Sequence, residues 1–148
     1  MVGRMSELRL RNAEKEDINL IYEWANDESE RRNSFNTQKI EYADHCKWYA
    51  NKLESDDTFI YVMMKDEEPV GQGRLELEGN KATISYFVDE KYRKKGIATL
   101  LYKEFEQIAK QSGAYQVRLC LWSFNREAEA FYRKMGMNEQ RVIMEKNI

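Results

Sequence analysis

The spacing of apolar and polar residues changes period several times along the chain, and each change marks an element. Leu8-Arg9-Leu10-Arg11 alternates like a strand, polar Asn12 to Asp17 follows, and Ile18, Ile21 and Ala25 then recur at helical spacing. Residues 26–40 are polar with scattered aromatics and read as a loop or a broken helix. Tyr42, Cys46, Tyr49 and Leu53 place an apolar stripe on a helix from Glu41 to Glu54, opposite Asp44, Lys47 and Asn51. Three strand-like stretches, Phe59 to Met63, Val70 to Leu77 and Ala82 to Val88, are separated by Asp66-Glu67-Glu68-Pro69 and Gly79-Asn80, which predicts antiparallel strands. Ile97, Leu100, Leu101, Phe105 and Ile108 then share one face of a long helix stopped by Gly113, a residue suited to a left-handed cap. A strand from Gln116 to Trp122 comes next. Asn125 caps a helix carrying Ala128, Phe131, Tyr132 and Met135, closed by Gly136, and a last strand runs from Met137 to Glu145. The predicted order is βααβββαβαβ, an α/β layer system forming one domain over residues 1–148.

Composition narrows the chemistry. A chain of 148 residues and 17.7 kDa buries about two-thirds of its surface on folding, enough for a core without disulfide staples. Lys and Arg total 24 against 26 Asp and Glu, so no overall basic field draws the protein to nucleic acid, and any anion site must be local. Cys46, Cys120 and the single His45 cannot assemble a zinc constellation, and both thiols are expected to be buried. No apolar leader or run of ~20 apolar residues is present, so a cytoplasmic location without membrane partners is expected.

The junction Val88-Asp89-Glu90-Lys91-Tyr92-Arg93-Lys94-Lys95-Gly96-Ile97-Ala98 runs a strand into a helix through a basic turn. A helix start leaves backbone N–H groups unpaired and carries partial positive charge, while Gly96 and Ala98 let a phosphate come close. A solvated basic loop ahead of an amphipathic helix fits the same pattern. The turn resembles the RxxGxA form of the Q/RxxGxG/A pyrophosphate loop of the GNAT superfamily of acyl-CoA-dependent N-acyltransferases. Downstream, Asn125-Arg126-Glu127-Ala128-Glu129-Ala130-Phe131-Tyr132-Arg133-Lys134-Met135-Gly136-Met137 resembles that family's NxxAxxFYxKxGF signature, with Met137 replacing Phe.

The resemblance implies a mixed, mostly antiparallel sheet flanked by helices and splayed where the cofactor binds. It implies acetyl-CoA as co-substrate, with the backbone of Lys94, Lys95, Gly96, Ile97 and Ala98 on its pyrophosphate and Arg93 and Lys95 adding charge. A backbone N–H near Phe87 or Val88 would polarise the thioester carbonyl. Tyr132 matches the family's general acid for the departing thiolate, and Asn125 would bind near the pantetheine arm. Without the motif, Tyr132 reads as a half-buried core aromatic and Asn125 as a helix cap. A base for the incoming amine is not marked; Glu76 and Glu78 are the nearest candidates, and solvent-facing strand positions suit them as well. Cys120, with no paired base, reads as a core thiol.

In this family the first two helices and their connection build the acceptor pocket. Trp24, Arg31, Asn33, Ser34 and Phe35, with the aromatic run around Trp48, look similar to members that acetylate nucleotide-linked amino sugars: aromatic faces for stacking and arginines for a diphosphate. The same residues also suit core packing and a solvated surface. Polyamines, aminoglycosides and protein N-termini are the other acceptors to weigh, and the mixture of Asp27, Glu28 and Glu30 with Arg31 and Arg32 argues against a polycation. A non-catalytic acyl-CoA-binding module is the reading from another class, and self-association through the last strand as a homodimer stays open.

Overall fold

Strand alternation divides the apolar residues between the two faces of one sheet, and helices cover both. In the computed structural model, which describes residues 8–32, 34, 37–94, 96–121 and 125–148, strands β1 (Leu8–Asn12), β2 (Thr58–Lys65), β3 (Glu68–Glu78), β4 (Lys81–Val88) and β5 (Gln116–Arg118) lie side by side in chain order. The first four pair antiparallel, and β5 joins β4 in parallel. Helices α1 (Ile18–Ala25), α2 (Glu28–Arg32), α3 (Tyr42–Glu54), α4 (Ile97–Gln111) and α5 (Arg126–Lys134) complete the described elements. Short α2 occupies the stretch expected to be a loop or broken helix.

On one face Leu75, Ala82, Ile84 and Val88 pack against Leu101, Tyr102 and Phe105 of α4. The other face sets Ile60, Val62, Met64 and Phe87 against Ile21 and Trp24 of α1 and Tyr49 of α3. Burial of these side chains supplies the main driving force for the two-layer packing. Gly73 is what lets α4 approach: a Cβ there would lie 2.2 Å from the Phe105 ring. Polar groups lock the other face, where Arg11 grips Asp17 through two hydrogen bonds of 2.8 Å and the Tyr49 hydroxyl donates to the Glu14 carbonyl at 2.6 Å. Buried His45 bonds the Ile18 carbonyl at 3.0 Å.

Two expectations change. The last strand is absent: residues 137–148 are described without strand pairing, and Val142, Ile143, Met144 and Ile148 are exposed. Gly136, with φ of +94°, turns the chain at the end of α5, and β5, with three residues, is too short to template a strand beyond that turn. Cys120 is exposed, not a core thiol, because β5 ends at Arg118 before reaching it, and Cys46 is only half-buried. Among the described residues no helix is long and apolar enough to cross a membrane, and no cluster of metal-ligating side chains occurs.

Candidate active site

Only Lys81, Ala82 and Thr83 of β4 pair with β5. From Ile84 onward, that edge of β4 has no strand neighbour among the described residues, so the sheet opens at the carboxyl end of a parallel strand, the usual ligand position in such a unit. The α4 N-terminus stands at the same end. Its cap is Gly96, with φ of +79° and no side chain closing the first turn. Lys94 also takes a left-handed φ, +62°, uncommon for a side chain of that length. Successive backbone N–H groups in such a turn face outward together and form an anion cradle. A Cβ on Gly96 would meet no atom within 4 Å, so that side is open, and Ala98 lines the adjoining cavity. The turn therefore fits a diphosphate.

The turn is held from the acceptor side. Asp89 accepts from the Lys91 N–H at 3.1 Å and from Trp24 Nε1 at 3.1 Å. Arg93 points inward: its Nε donates to the Val88 carbonyl at 2.8 Å, its guanidinium lies over the Phe87 ring, and Asp27 is 3.8 Å away. It braces the turn, while Lys94 is exposed. Ser29 and backbone N–H groups bonding Asp27, with Arg93 nearby, hold that carboxyl below its ordinary pKa despite partial burial.

A cavity of about 540 Å³ opens at this end, lined by Ser29, Glu30 and Arg32 of α2, by Tyr86, Phe87 and Val88 of β4, and by Arg93, Ala98, Asn125 and Glu127. Because Tyr86 and Phe87 point to opposite faces, the cavity reaches both. Asn125 caps α5, its side chain accepting from the Ala128 N–H at 3.3 Å, and this cap puts Tyr132 two turns along the same helix. The Tyr132 hydroxyl lies 2.8 Å from that of Tyr86. Burial raises the Tyr132 pKa and the Glu30 charge adds to this, while the Tyr86 hydroxyl draws it down. Glu30 is itself pushed up, first by burial and then by Asp27, against Arg31, Arg74 and Arg93. It is the residue the sequence did not mark, since the five residues of α2 are too few for periodicity to show which way they point.

The structure does not bring Glu76 to this cleft. It lies on the α3 face, bonded by Arg74 Nε at 2.6 Å and Lys52 Nζ at 3.4 Å. Burial pushes its carboxyl up, but the two cations outweigh that and leave it lowered, the reverse of what a base needs. Glu78 is exposed beside Arg118. Trp24 is 6% exposed, packed on Phe87 with ring centroids 6.0 Å apart, so it cannot stack a substrate. Arg31 donates to the Ala25 carbonyl at 2.7 Å and to Ser34 Oγ at 3.2 Å, and Ser34 Oγ donates to the Glu30 carbonyl at 2.7 Å. These two shape α2. Asn33, Phe35 and Lys95 lie outside the described residues. A second cavity, of about 530 Å³, adjoins through Arg32 and is lined by Asn26, Glu28, Arg31, Arg32, Thr37 and Lys39.

A family model described as acetyltransferase (GNAT) matches residues 18–137. Spermidine N-acetyltransferase from Vibrio cholerae, solved with CoA and spermine, superposes with a TM-score of 0.85 at 18% identity, over 97% of this chain and 88% of that one. Aminoglycoside N-acetyltransferase AAC(6')-Iy in complex with CoA gives 0.75 at 14%, over 95% and 94%. A transcriptional regulator from Bacillus halodurans C-125 gives 0.76 at 18%, over 95% and 99%. At these identities the likeness is one of fold.

Proposed function

The chain belongs to the acetyltransferase (GNAT) family and is an acetyl-CoA-dependent N-acetyltransferase, and from that premise we propose that its acceptor is the primary amine of a small molecule, acetylated by direct attack. The observation that carries this reading is one cleft bounded by an open strand edge, an uncapped helix start, Tyr86 with its hydroxyl against that of Tyr132, and the half-buried Glu30 carboxyl.

Acetyl-CoA supplies an activated acyl group as a thioester. N–H groups of Ile97 and Ala98 hold its pyrophosphate, and a backbone N–H of β4 near Phe87 or Val88 polarises the carbonyl. An alkylammonium with a pKa of ~10 is unreactive until it loses a proton. Glu30 takes that proton, and its raised pKa makes it a better base than an ordinary carboxylate. The amine nitrogen bonds to the carbonyl carbon, the carbon–sulfur bond breaks, and Tyr132 gives its proton to the sulfur. The amide nitrogen gives its excess proton to the Tyr132 phenolate, and exchange with water then deprotonates Glu30.

The amine's far end carries an anion in this reading, and a nucleotide-linked amino sugar is the instance favoured. Arg32 lines both cavities and Lys39 the outer one, and a phosphate there would leave the amine facing Glu30. The test is thiol release from acetyl-CoA with a nucleotide-linked amino sugar, spermidine and an aminoglycoside. Turnover confined to the anionic amine, lowered about tenfold in kcat/KM by Arg32→Ala, is expected; preference for either polycation overturns the choice of acceptor. Tyr132→Phe should lower kcat about 10²-fold with coenzyme A affinity retained, and undiminished kcat removes Tyr132 as the acid.

A further inference from the structure

Tyr86 occupies a position that strand patterning assigns to the core, on the α4 face of β4 and opposite Gly73. It stands beyond the last residue of β4 that β5 covers, so its ring borders the cleft. Its hydroxyl is 2.8 Å from that of Tyr132, and the rings meet edge to face with centroids 6.4 Å apart. A hydroxyl donates one hydrogen bond and accepts others, so within this pair only one phenol can give its proton to the other. If Tyr132 gives, its proton is turned away from the cleft. If Tyr86 gives, the Tyr132 proton is free to face the leaving sulfur.

We infer that Tyr86 is a positioning residue that donates to the Tyr132 oxygen, aims the Tyr132 proton into the cleft and stabilises the phenolate left behind. The inference rests on Tyr132 being the acid. The charged or titratable groups facing Tyr132 are Tyr86 from β4, Tyr102 from α4 and Glu30 from α2. Of these, Tyr86 alone hydrogen-bonds it. Tyr86 keeps its proton, since burial and the neighbouring Tyr132 both raise its pKa.

An acid must be protonated to act, so activity falls as pH rises through the Tyr132 pKa. Removing a donor to the phenolate raises that pKa. Tyr86→Phe should therefore lower kcat about tenfold, move the basic limb of the kcat profile to higher pH, and leave both KM values unchanged. Tyrosinate absorbance of the unliganded protein, titrated beside Tyr132→Phe, should show the Tyr132 transition moving the same way. A fluorinated tyrosine at position 86 keeps the ring and hydroxyl while donating more strongly, so the limb should move to lower pH. An unmoved limb in both variants, or kcat retained in Tyr86→Phe, overturns the inference. Retained kcat in Tyr132→Phe instead overturns the reading beneath it.

Discussion

Asp17 and Glu30 are both acids partly drawn out of water, and their surroundings shift them in opposite directions. Asp17 accepts two hydrogen bonds from Arg11 and one from the Glu14 N–H, so pairing outweighs burial and its pKa falls. Glu30 makes no salt bridge to a described residue, and burial raises it. A buried carboxyl whose bonds are all made is fixed in its charged form and holds elements together. One without a bonded cation has its pKa raised by burial and holds a proton more readily than an ordinary carboxylate. Glu76, held by Arg74 and Lys52, belongs with Asp17. Glu30 lines the cavity at the end of the sheet where strand pairing is withheld too.

The contrast breaks most visibly at Glu30. Glu30→Gln should lower kcat about 10²-fold and leave the urea midpoint near that of the parent, and a large loss of stability with retained kcat would move Glu30 into the scaffold. The acid limb of the kcat/KM profile should lie above the ordinary glutamate value of about 4.3 and disappear in the same variant. Asp17→Asn should do the reverse, costing about 2 kcal/mol in urea unfolding with kcat unchanged. A lowered carboxyl contributes stability above its unfolded pKa and loses it as pH falls through the folded value. The difference in stability between parent and Asp17→Asn should thus shrink on acidification below about pH 4.

Gly96→Ala forces a side chain into a left-handed φ, at a cost of about 1 kcal/mol, and sets a methyl group where a diphosphate comes closest. Coenzyme A affinity by titration calorimetry should fall about tenfold, and unchanged affinity would place the anion elsewhere. Glu76→Gln sharpens the comparison at its small end. It does not line the cleft and is held by Arg74 and Lys52, so kcat should stay within about twofold and stability should fall by under about 1 kcal/mol, as for other partly exposed ion pairs.

Local rules carried the helix ends: Asn125 caps α5, and Gly113 and Gly136 take φ of +92° and +94° at the ends of α4 and α5. They carried the positions of β2 to β4 and the turn at Gly96 as well, because each depends on residues a few positions apart. Trp24 and Glu30 show where such rules stop. An aromatic residue near a pocket reads the same whether it stacks a ligand or fills a core, and Phe87, distant in sequence, decides for the core. A glutamate among charged neighbours reads as solvated until another element removes water from it. The final strand failed for a related reason, since alternation makes a strand possible and a long enough neighbour makes it form.

The sequence by itself determined strands β1 to β4, the helices α1, α3, α4 and α5 and the glycine turn ahead of α4, all of which arise from short-range spacing and backbone stereochemistry. Only the tertiary structure decided which carboxyl is left unpaired, that Arg93 braces the turn from inside, and that Tyr86 meets Tyr132 hydroxyl to hydroxyl. Those outcomes depend on desolvation and on contacts between residues 46 positions apart or more, and both exist only once β4 has been laid against α4 and α5.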